Sequence, residues 1–145
     1  MPRIERRIDI AAPPRVVWDI SADFDRWPEW TKSTKAARRE DAGPLRVGSR
    51  ATLELAGGPS APWVVTAVDE GRYFAWLSSQ SGLTVIAEHT IEPKDDGGSA
   101  VTLAISTRGL NGILAWPYLR WVARRNLEWE ASGLKQRAES QATET

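Results

Sequence analysis

Residues 34 to 108 contain six strand-like segments separated by short turn sequences, and this run constrains the fold more than any other feature. The separators, such as 56–59 and 95–98, are rich in glycine, proline and aspartate. Separators of this length join antiparallel neighbours, because parallel strands need crossovers of about a dozen residues or more. The predicted strands are 35–40, 49–55, 63–69, 73–79, 83–92 and 100–107. The pattern therefore predicts an antiparallel meander.

One strand and two short helices are predicted before the meander. In segment 3–10 the isoleucines fall on one parity, which is the period of a half-buried strand. Pro14 suits the first position of a short helix over 14–21. A second short helix over 23–31 carries aromatic residues at three-residue spacing, and Pro28 inside it predicts a kinked or 3₁₀ turn.

One long helix is predicted from about residue 110 to 139, reset at Pro117 and followed by a frayed polar tail over 140–145. Its predicted sheet-facing stripe consists of Ile113, Trp116, Arg120, Ala123, Leu127, Ala131, Leu134 and Ala138. Before Arg124 the helix is apolar nearly all round, so its first half needs cover from the short helices, a ligand or a second subunit. One apolar helix across a curved antiparallel sheet is an α+β arrangement that leaves a cavity.

Length and composition exclude several classes. The chain has 145 residues, 41% hydrophobic and 26% charged, which favours one globular domain over 1–145 and excludes disorder. Its net charge of zero argues against a nucleic-acid partner. No segment reaches the roughly 18 apolar residues of a membrane span, and the first residues do not resemble a signal peptide. We therefore expect a cytoplasmic protein.

The sequence also lacks cofactor motifs. It has no cysteine and one histidine, so zinc and iron sites are not expected. Neither glycine-rich nucleotide signature occurs, and there is no nucleophile elbow. The sequence therefore predicts no metal and no nucleotide cofactor.

His89 is the first candidate functional residue. It shares strand parity with Val85 and Ala87, so it is predicted to face the cavity. Histidine is the side chain whose ordinary pKa lies near neutrality, which suits a general acid or base, or a hydrogen bond to a ligand. The alternative is a buried imidazole paired with a neighbouring polar group.

Arg120 is the second candidate, because the predicted stripe turns it inward with Arg124 at its edge. A guanidinium facing an apolar cavity can bind a carboxylate or enolate oxygen with two parallel hydrogen bonds. The alternatives are an ion pair with Glu54 or Glu88, or a side chain that reaches out to water.

Tryptophan dominates the aromatic residues, with 8 tryptophans against 2 tyrosines and 2 phenylalanines. Aromatic walls suit a planar or polycyclic apolar ligand, although core packing explains any one of these rings equally well. The predicted ligand-binding residues are Trp27, Trp30, Phe74, Trp76, Val85, His89, Leu103, Trp116 and Arg120.

Several segments together resemble a known family. They are 12–14 (Ala-Pro-Pro), 17–18 (Val-Trp), 23–30 (Asp-Phe-Asp-Arg-Trp-Pro-Glu-Trp), the turn 96–99 and the ending 127–139. Over essentially the whole chain, the sequence resembles the START-related SRPBCC superfamily, in its polyketide cyclase/dehydrase and lipid-transport-like branch. The resemblance implies a helix-grip fold, in which a curved antiparallel sheet of about seven strands wraps a long C-terminal helix and two short helices follow the first strand.

The superfamily includes cyclases, hydrolases, lipid carriers, hormone receptors and chaperone partners, so the resemblance leaves the function open. The leading hypothesis is binding of a small hydrophobic ligand, lipid-like or polycyclic aromatic, between the sheet and the helix. The first alternative is an aromatase/cyclase or dehydratase in which His89 and Arg120 act. The second is a protein-interaction module of the chaperone-activator type.

Two observations would separate these hypotheses. A cavity of roughly several hundred Å³ beside a buried His89 favours a ligand or an enzyme. A collapsed cavity with Tyr118 and Trp121 exposed favours an interaction module, or a homodimer through the apolar first half of the helix.

Overall fold

The computed structural model describes residues 2–80 and 82–144, so Met1, Ser81 of the predicted turn between strands 73–79 and 83–92, and Thr145 of the predicted tail lie outside it. The elements are β1 (Arg3–Ile10), α1 (Pro14–Ala22), a 3₁₀ helix (Phe24–Glu29), β2 (Thr34–Arg39), β3 (Arg50–Leu55), β4 (Ser60–Asp69), β5 (Tyr73–Gln80), β6 (Leu83–Pro93), β7 (Ser99–Arg108) and α2 (Leu110–Glu144). Their order is the predicted one.

The strands form one curled sheet in the order β1-β7-β6-β5-β4-β3-β2, and every neighbouring pair is antiparallel. The meander from β2 to β7 is therefore confirmed. Because β1 pairs with β7 at one edge and β2 forms the other, α1 and the 3₁₀ helix connect opposite edges. With α2 packed on the sheet, this is the predicted α+β helix-grip fold.

The pairing of β6 with its neighbours fixes which side chains face α2. His89 lies opposite Phe74 on β5 and opposite Leu103 on β7. Directly opposite residues share a face of an antiparallel sheet, and residues two apart along a strand share it as well. Ala87 and Val85 therefore lie on the same concave face as His89, as the sequence predicts.

An aromatic cluster joins the two short helices to the sheet. Phe24 of the 3₁₀ helix stacks on Trp76 of β5 with ring centroids 4.3 Å apart. Trp18 of α1 meets Phe74 edge-on at 5.8 Å. These four rings are buried and belong to the hydrophobic core.

The long helix differs from its prediction at both ends. It continues through Pro117 without a reset, because Pro117 lies on the exposed face, where the carbonyl group it leaves unpaired can contact water. It also extends to Glu144, so the predicted frayed tail is wrong for the described part of 140–145. Ala142 packs against the core there, and Thr143 Oγ1 donates a hydrogen bond to the carbonyl of Glu139.

The predicted stripe of α2 is right in its second half and partly right in its first, where Trp116 and Ala123 line the cavity beneath the helix. Leu127, Ala131, Leu134 and Ala138 are buried, whereas Ile113 and Arg120 are exposed. Leu119 takes the inward position that the sequence assigned to Arg120. The first half is apolar nearly all round, so its sequence alone does not determine which side faces the sheet.

Candidate functional site

A cavity of about 170 Å³ lies between the concave face and the first half of α2. Strand β6 contributes Val85, Ala87 and His89, which is every second residue of that strand. Other strands, the 3₁₀ helix and α2 contribute further wall residues, among them Trp27, Thr34, Leu53, Leu55, Trp63, Trp76, Ile105, Thr107, Trp116, Leu119, Val122, Ala123, Asn126, Leu127 and Glu130. Most of these side chains are apolar, so the cavity wall contains only a few polar groups.

His89 and Glu130 form a buried pair in this wall. His89 Nε2 lies 2.6 Å from Glu130 Oε1, within hydrogen-bond distance, and both residues are buried. The imidazole ring stacks flat on Phe74, with centroids 4.3 Å apart and 8° between the planes. A carboxylate that accepts from Nε2–H fixes the imidazole tautomer and leaves Nδ1 with its lone pair. Nδ1 is buried and has no hydrogen-bond partner among the described residues.

Three further polar atoms of the cavity wall are buried without a hydrogen-bond partner in the described chain. They are Thr34 Oγ1, Trp63 Nε1 and Thr107 Oγ1. A buried polar group without a partner costs about 1–3 kcal/mol, so such groups are rare in ordinary cores. Their presence in one cavity distinguishes this wall from simple packing.

A second cavity, of about 200 Å³, adjoins the first towards the turn between β3 and β4. Leu119 and Val122 of α2 line both cavities, together with Leu55, Trp63 and Val85 from the sheet. Arg125 Nη2 and Asn126 Nδ2 donate to the carbonyl of Ala56 at 3.0 and 3.4 Å, which ties α2 to that turn.

A network of charged and polar side chains around Glu88 lies outside the cavity. The Arg3 guanidinium donates to Glu88 and lowers the pKa of that carboxyl group. Burial, and then the hydrogen bond that Tyr73 donates to Glu88, raise the pKa of Tyr73 to about 12. Glu88 alternates with His89 along β6, so this network lies on the opposite face of the sheet. Glu88 therefore pairs with Arg3 and Tyr73, and not with Arg120, the arginine for which it was considered as a partner.

The structure brings together five of the residues chosen from the sequence: Trp27, Trp76, Val85, His89 and Trp116 line the cavity. Phe74 and Leu103 are buried beside it, on the two strands that flank His89, and are not part of its wall. Trp30 lies in a surface groove with Glu29 and Arg137. Arg120 is exposed, so its predicted inward orientation is wrong.

Glu130 is the main residue that the sequence analysis missed. It follows Leu127 by three residues and precedes Leu134 by four, so the helical spacing places it on the buried stripe. A carboxylate at such a position is a usable signal, because buried acidic residues are almost always paired. Thr107 was likewise predictable, since it continues the parity of Leu103 and Ile105.

Among the described residues, no group of three or more histidine, cysteine, aspartate or glutamate side chains is placed to hold a metal ion. No helix in the described part of the chain has both the length and the apolar character needed to cross a membrane.

The seven-stranded grip around α2, with an apolar cavity beneath the helix, defines a helix-grip protein. A family model described as polyketide cyclase / dehydrase and lipid transport matches residues 1–139. The chain belongs to that family.

Individual proteins are similar to this chain in sequence or in fold. A Streptomyces halstedii protein named "Putative polyketide cyclase" is 33% identical over 92 residues, which cover 61% of this chain and 72% of the relative. A START superfamily protein from Mycobacterium smegmatis has a similar structure, with a TM-score of 0.77, 15% identity, and coverage of 96% of this chain and 98% of its own. The Zhui aromatase/cyclase from Streptomyces sp. R1128 gives a TM-score of 0.74, 19% identity, and coverage of 97% and 94%. At these identities the two structures show the fold alone.

Proposed function

We propose that the protein binds a small, largely apolar aromatic ligand that carries a carbonyl or hydroxyl group. The observation that carries this proposal is the apolar cavity whose wall holds the His89–Glu130 pair and three buried polar atoms without partners. The aromatic wall, with Trp63 and Trp76 among its rings, favours a planar ligand.

The cavity volume limits the size of that ligand. Typical sites for drug-sized molecules occupy about 300–1,000 Å³, and an apolar cavity of about 150 Å³ accommodates benzene. The volume of about 170 Å³ therefore suits a compound of roughly one or two rings. A longer lipid-like or polycyclic ligand would extend past Leu119 and Val122 into the adjoining cavity.

The unpartnered atoms indicate the polar chemistry of the ligand. Trp63 Nε1–H is a donor only, so it requires an acceptor such as a carbonyl or hydroxyl oxygen. The hydroxyl groups of Thr34 and Thr107 both donate and accept. A hydrocarbon without a polar group would leave all three atoms unpaired, so we expect it to bind more weakly than its hydroxylated analogue.

Tryptophan fluorescence titration with naphthalene and α-naphthol tests this proposal, because Trp27, Trp63, Trp76 and Trp116 all line the cavity. We expect saturable quenching by both compounds, with α-naphthol bound about fivefold tighter or more. Thr107→Val should reduce that preference, whereas Thr102→Val, at a position of opposite parity in β7, should keep it. Absence of saturable quenching by either compound would refute the proposal.

A second candidate function, dehydration or cyclisation of a bound β-hydroxy ketone, is favoured by the buried His89–Glu130 pair. With Glu130 accepting Nε2–H, His89 Nδ1 can take the proton from the carbon next to the ketone, which leaves an enolate. Return of that proton to the β-hydroxyl releases water as the carbon–oxygen bond breaks and the carbon–carbon double bond forms. Glu130 stabilises the imidazolium between these steps, and Arg120 takes no part.

Mass spectrometry of an aromatic β-hydroxy ketone incubated with the protein separates turnover from binding. If the second candidate is correct, the substrate loses water, and His89→Gln and Glu130→Gln each abolish that loss while Arg120→Ala leaves it unchanged. If all four proteins bind the compound and none converts it, the ligand-binding proposal stands alone.

The interaction-module hypothesis predicts a collapsed cavity together with exposed Tyr118 and Trp121 side chains. The cavity is open, although smaller than the several hundred Å³ expected, and both side chains are exposed. The open cavity is the reason that ligand binding leads our proposal. The cytoplasmic location stays a prediction.

A further inference from the structure

Five large apolar side chains are exposed on the first half of α2, with relative accessibilities of 59–71%. They are Leu110, Ile113, Leu114, Tyr118 and Trp121. At 100° per residue, Leu110, Leu114 and Trp121 lie within one narrow sector of the helix, with Ile113 and Tyr118 on its two sides. We call these five residues the outer apolar face. It extends roughly 17 Å along the helix.

The charges around this face all have one sign. Residues 108–127 contain four arginines and no aspartate or glutamate. Arg120 and Arg124 are exposed on one flank of the outer apolar face, and Arg108 is exposed just before the helix begins. Arg125 lies on the other flank, with its guanidinium 5.2 Å from the centre of the Trp121 ring.

Neighbouring elements add no negative charge. The turn between β3 and β4, and Gln80 and Leu83 at the adjoining ends of β5 and β6, line the same cavity as Tyr118 and Leu119. Segments 55–61 and 77–87, which include these residues, contain no charged residue. The nearest acidic residue along α2 is Glu128, which is paired with Arg6. A surface that covers this region therefore meets an apolar centre with a basic border.

We propose that the outer apolar face docks onto an anionic lipid bilayer, with α2 lying in the plane of the surface. Interfacial helices typically carry apolar and aromatic residues bordered by basic ones, as this face does. Their apolar face is buried about 5–10 Å into the boundary between headgroups and acyl chains. Arginine side chains can extend towards lipid phosphates while their stems stay against the apolar core.

A second copy of the chain fits this face less well. A twofold dimer through the outer apolar face brings two copies of the same positively charged surface together, so the arginines of both protomers border one interface. No acidic residue within 108–127 offsets the repulsion between these positive charges. A bilayer with anionic headgroups supplies both the opposite charge and the apolar interior.

The outer apolar face lies next to the adjoining cavity. Docking of this face onto a bilayer does not depend on a ligand in that cavity. Tyr118 belongs to the outer apolar face and also lines the adjoining cavity. Leu119, the next residue, lines both cavities from the inner side of the same helical turn. The part of the protein that contacts the bilayer is thus the part that covers the cavity.

Vesicle flotation with the full chain tests the proposal, using phosphatidylcholine vesicles with and without phosphatidylglycerol. We expect binding to the vesicles that contain phosphatidylglycerol, weakened by salt and nearly absent with phosphatidylcholine alone. The variant Leu114→Glu/Trp121→Glu should lose this binding. Its control is Val47→Glu, which changes an exposed apolar residue outside α2 and should bind as the unchanged protein does.

A second pair of variants tests the charge contribution. Arg120→Glu/Arg124→Glu should weaken binding at least about tenfold, because each basic residue near an anionic surface contributes about fivefold. The control Lys35→Glu/Arg38→Glu makes the same charge change at exposed positions of β2 and should lower affinity by clearly less. Thermal unfolding of each variant verifies that it is folded.

Three results would overturn the proposal. One is equal binding to both kinds of vesicle. Another is a dimer in solution that Trp121→Glu dissociates, which would make a second copy the occupant. The third is a monomer that binds neither vesicle, in which case an acidic protein surface becomes the better candidate.

Discussion

The two halves of α2 use their apolar residues in opposite ways. In the second half the apolar residues Ala131, Leu134 and Ala138 are buried in the core, and Lys135 Nζ donates a hydrogen bond to the carbonyl of Asp9 in β1. In the first half the largest apolar residues face outward, and the inward ones border a cavity instead of filling it. The second half therefore stabilises the fold, and the first half carries the residues of the proposed ligand and bilayer contacts.

The largest expected difference between the halves comes from shortening one leucine in each. Leu134→Ala should reduce the free energy of unfolding by about 2–5 kcal/mol, because Leu134 is fully buried in the core. Leu114→Ala removes the same atoms from an exposed position and should change it by no more than about 0.5 kcal/mol. Urea denaturation of both variants measures this difference, and equal losses would contradict the division of α2 proposed above.

Gly133→Ala should also destabilise the protein, by about 1–3 kcal/mol. A Cβ atom at Gly133 would lie much closer to the Trp30 carbonyl oxygen than van der Waals contact allows, and because that oxygen belongs to the backbone, the backbone has to move. That strain outweighs the helix preference of alanine over glycine, which is about 1 kcal/mol. A matched control is Ser132→Ala, an exposed position one residue earlier. An increase in the thermal midpoint of Gly133→Ala would contradict this close contact between helices.

The same division explains what the sequence could predict. In the second half polar residues occupy one side, so the buried stripe from Leu127 to Ala138 was correct. In the first half apolar residues surround the helix, and the choice between Leu119 and Arg120 as the inward residue depends on contacts with distant strands. Local pattern contains no information on those contacts, because they join residues far apart in the chain.

The strands and turns were predictable for a different reason. Turn chemistry at glycine and proline is local, so the meander and its strand parity follow from sequence alone. The partner of His89 was not identified, since Glu130 lies 41 residues away on another element. Unpaired atoms such as Trp63 Nε1 are properties of the packed cavity wall and have no local sequence signal.

Thr107→Val should increase stability in the absence of ligand, by about 1 kcal/mol. The Thr107 hydroxyl is buried without a partner beneath the first half of α2, close to Gly112, so a methyl group of similar shape removes an unsatisfied polar atom. The same change should weaken binding of a hydroxylated ligand. Thr102→Val should alter neither property. Loss of stability in Thr107→Val would indicate that the hydroxyl group has a structural partner.

The smallest expected effect concerns pH and the second half of α2, which is also held by carboxylates. Glu139 Oε2 accepts hydrogen bonds from Ala11 N at 2.9 Å and from Lys135 Nζ at 2.6 Å. The Ala11 N–H, and then Lys135, lower the pKa of Glu139 below its ordinary value of 4.5. A lowered pKa means that the charged carboxylate stabilises the folded state above pH 4.5, and that this contribution is lost as the pH falls through the lower folded pKa.

Glu139→Gln keeps an acceptor for Ala11 but cannot titrate, so it should remove that part of the acid dependence, within about 1 kcal/mol. Urea denaturation at neutral pH and at several pH values below 4.5 measures this acid dependence, with Glu92→Gln, at an exposed position of β6, as the control. The first half of α2 has no acidic residue and can supply no such contribution. If Glu139→Gln leaves the acid dependence of stability unchanged, the Glu139 carboxylate does not help to hold the second half of α2 in place. The two halves would then differ in charge only through the arginines around the outer apolar face.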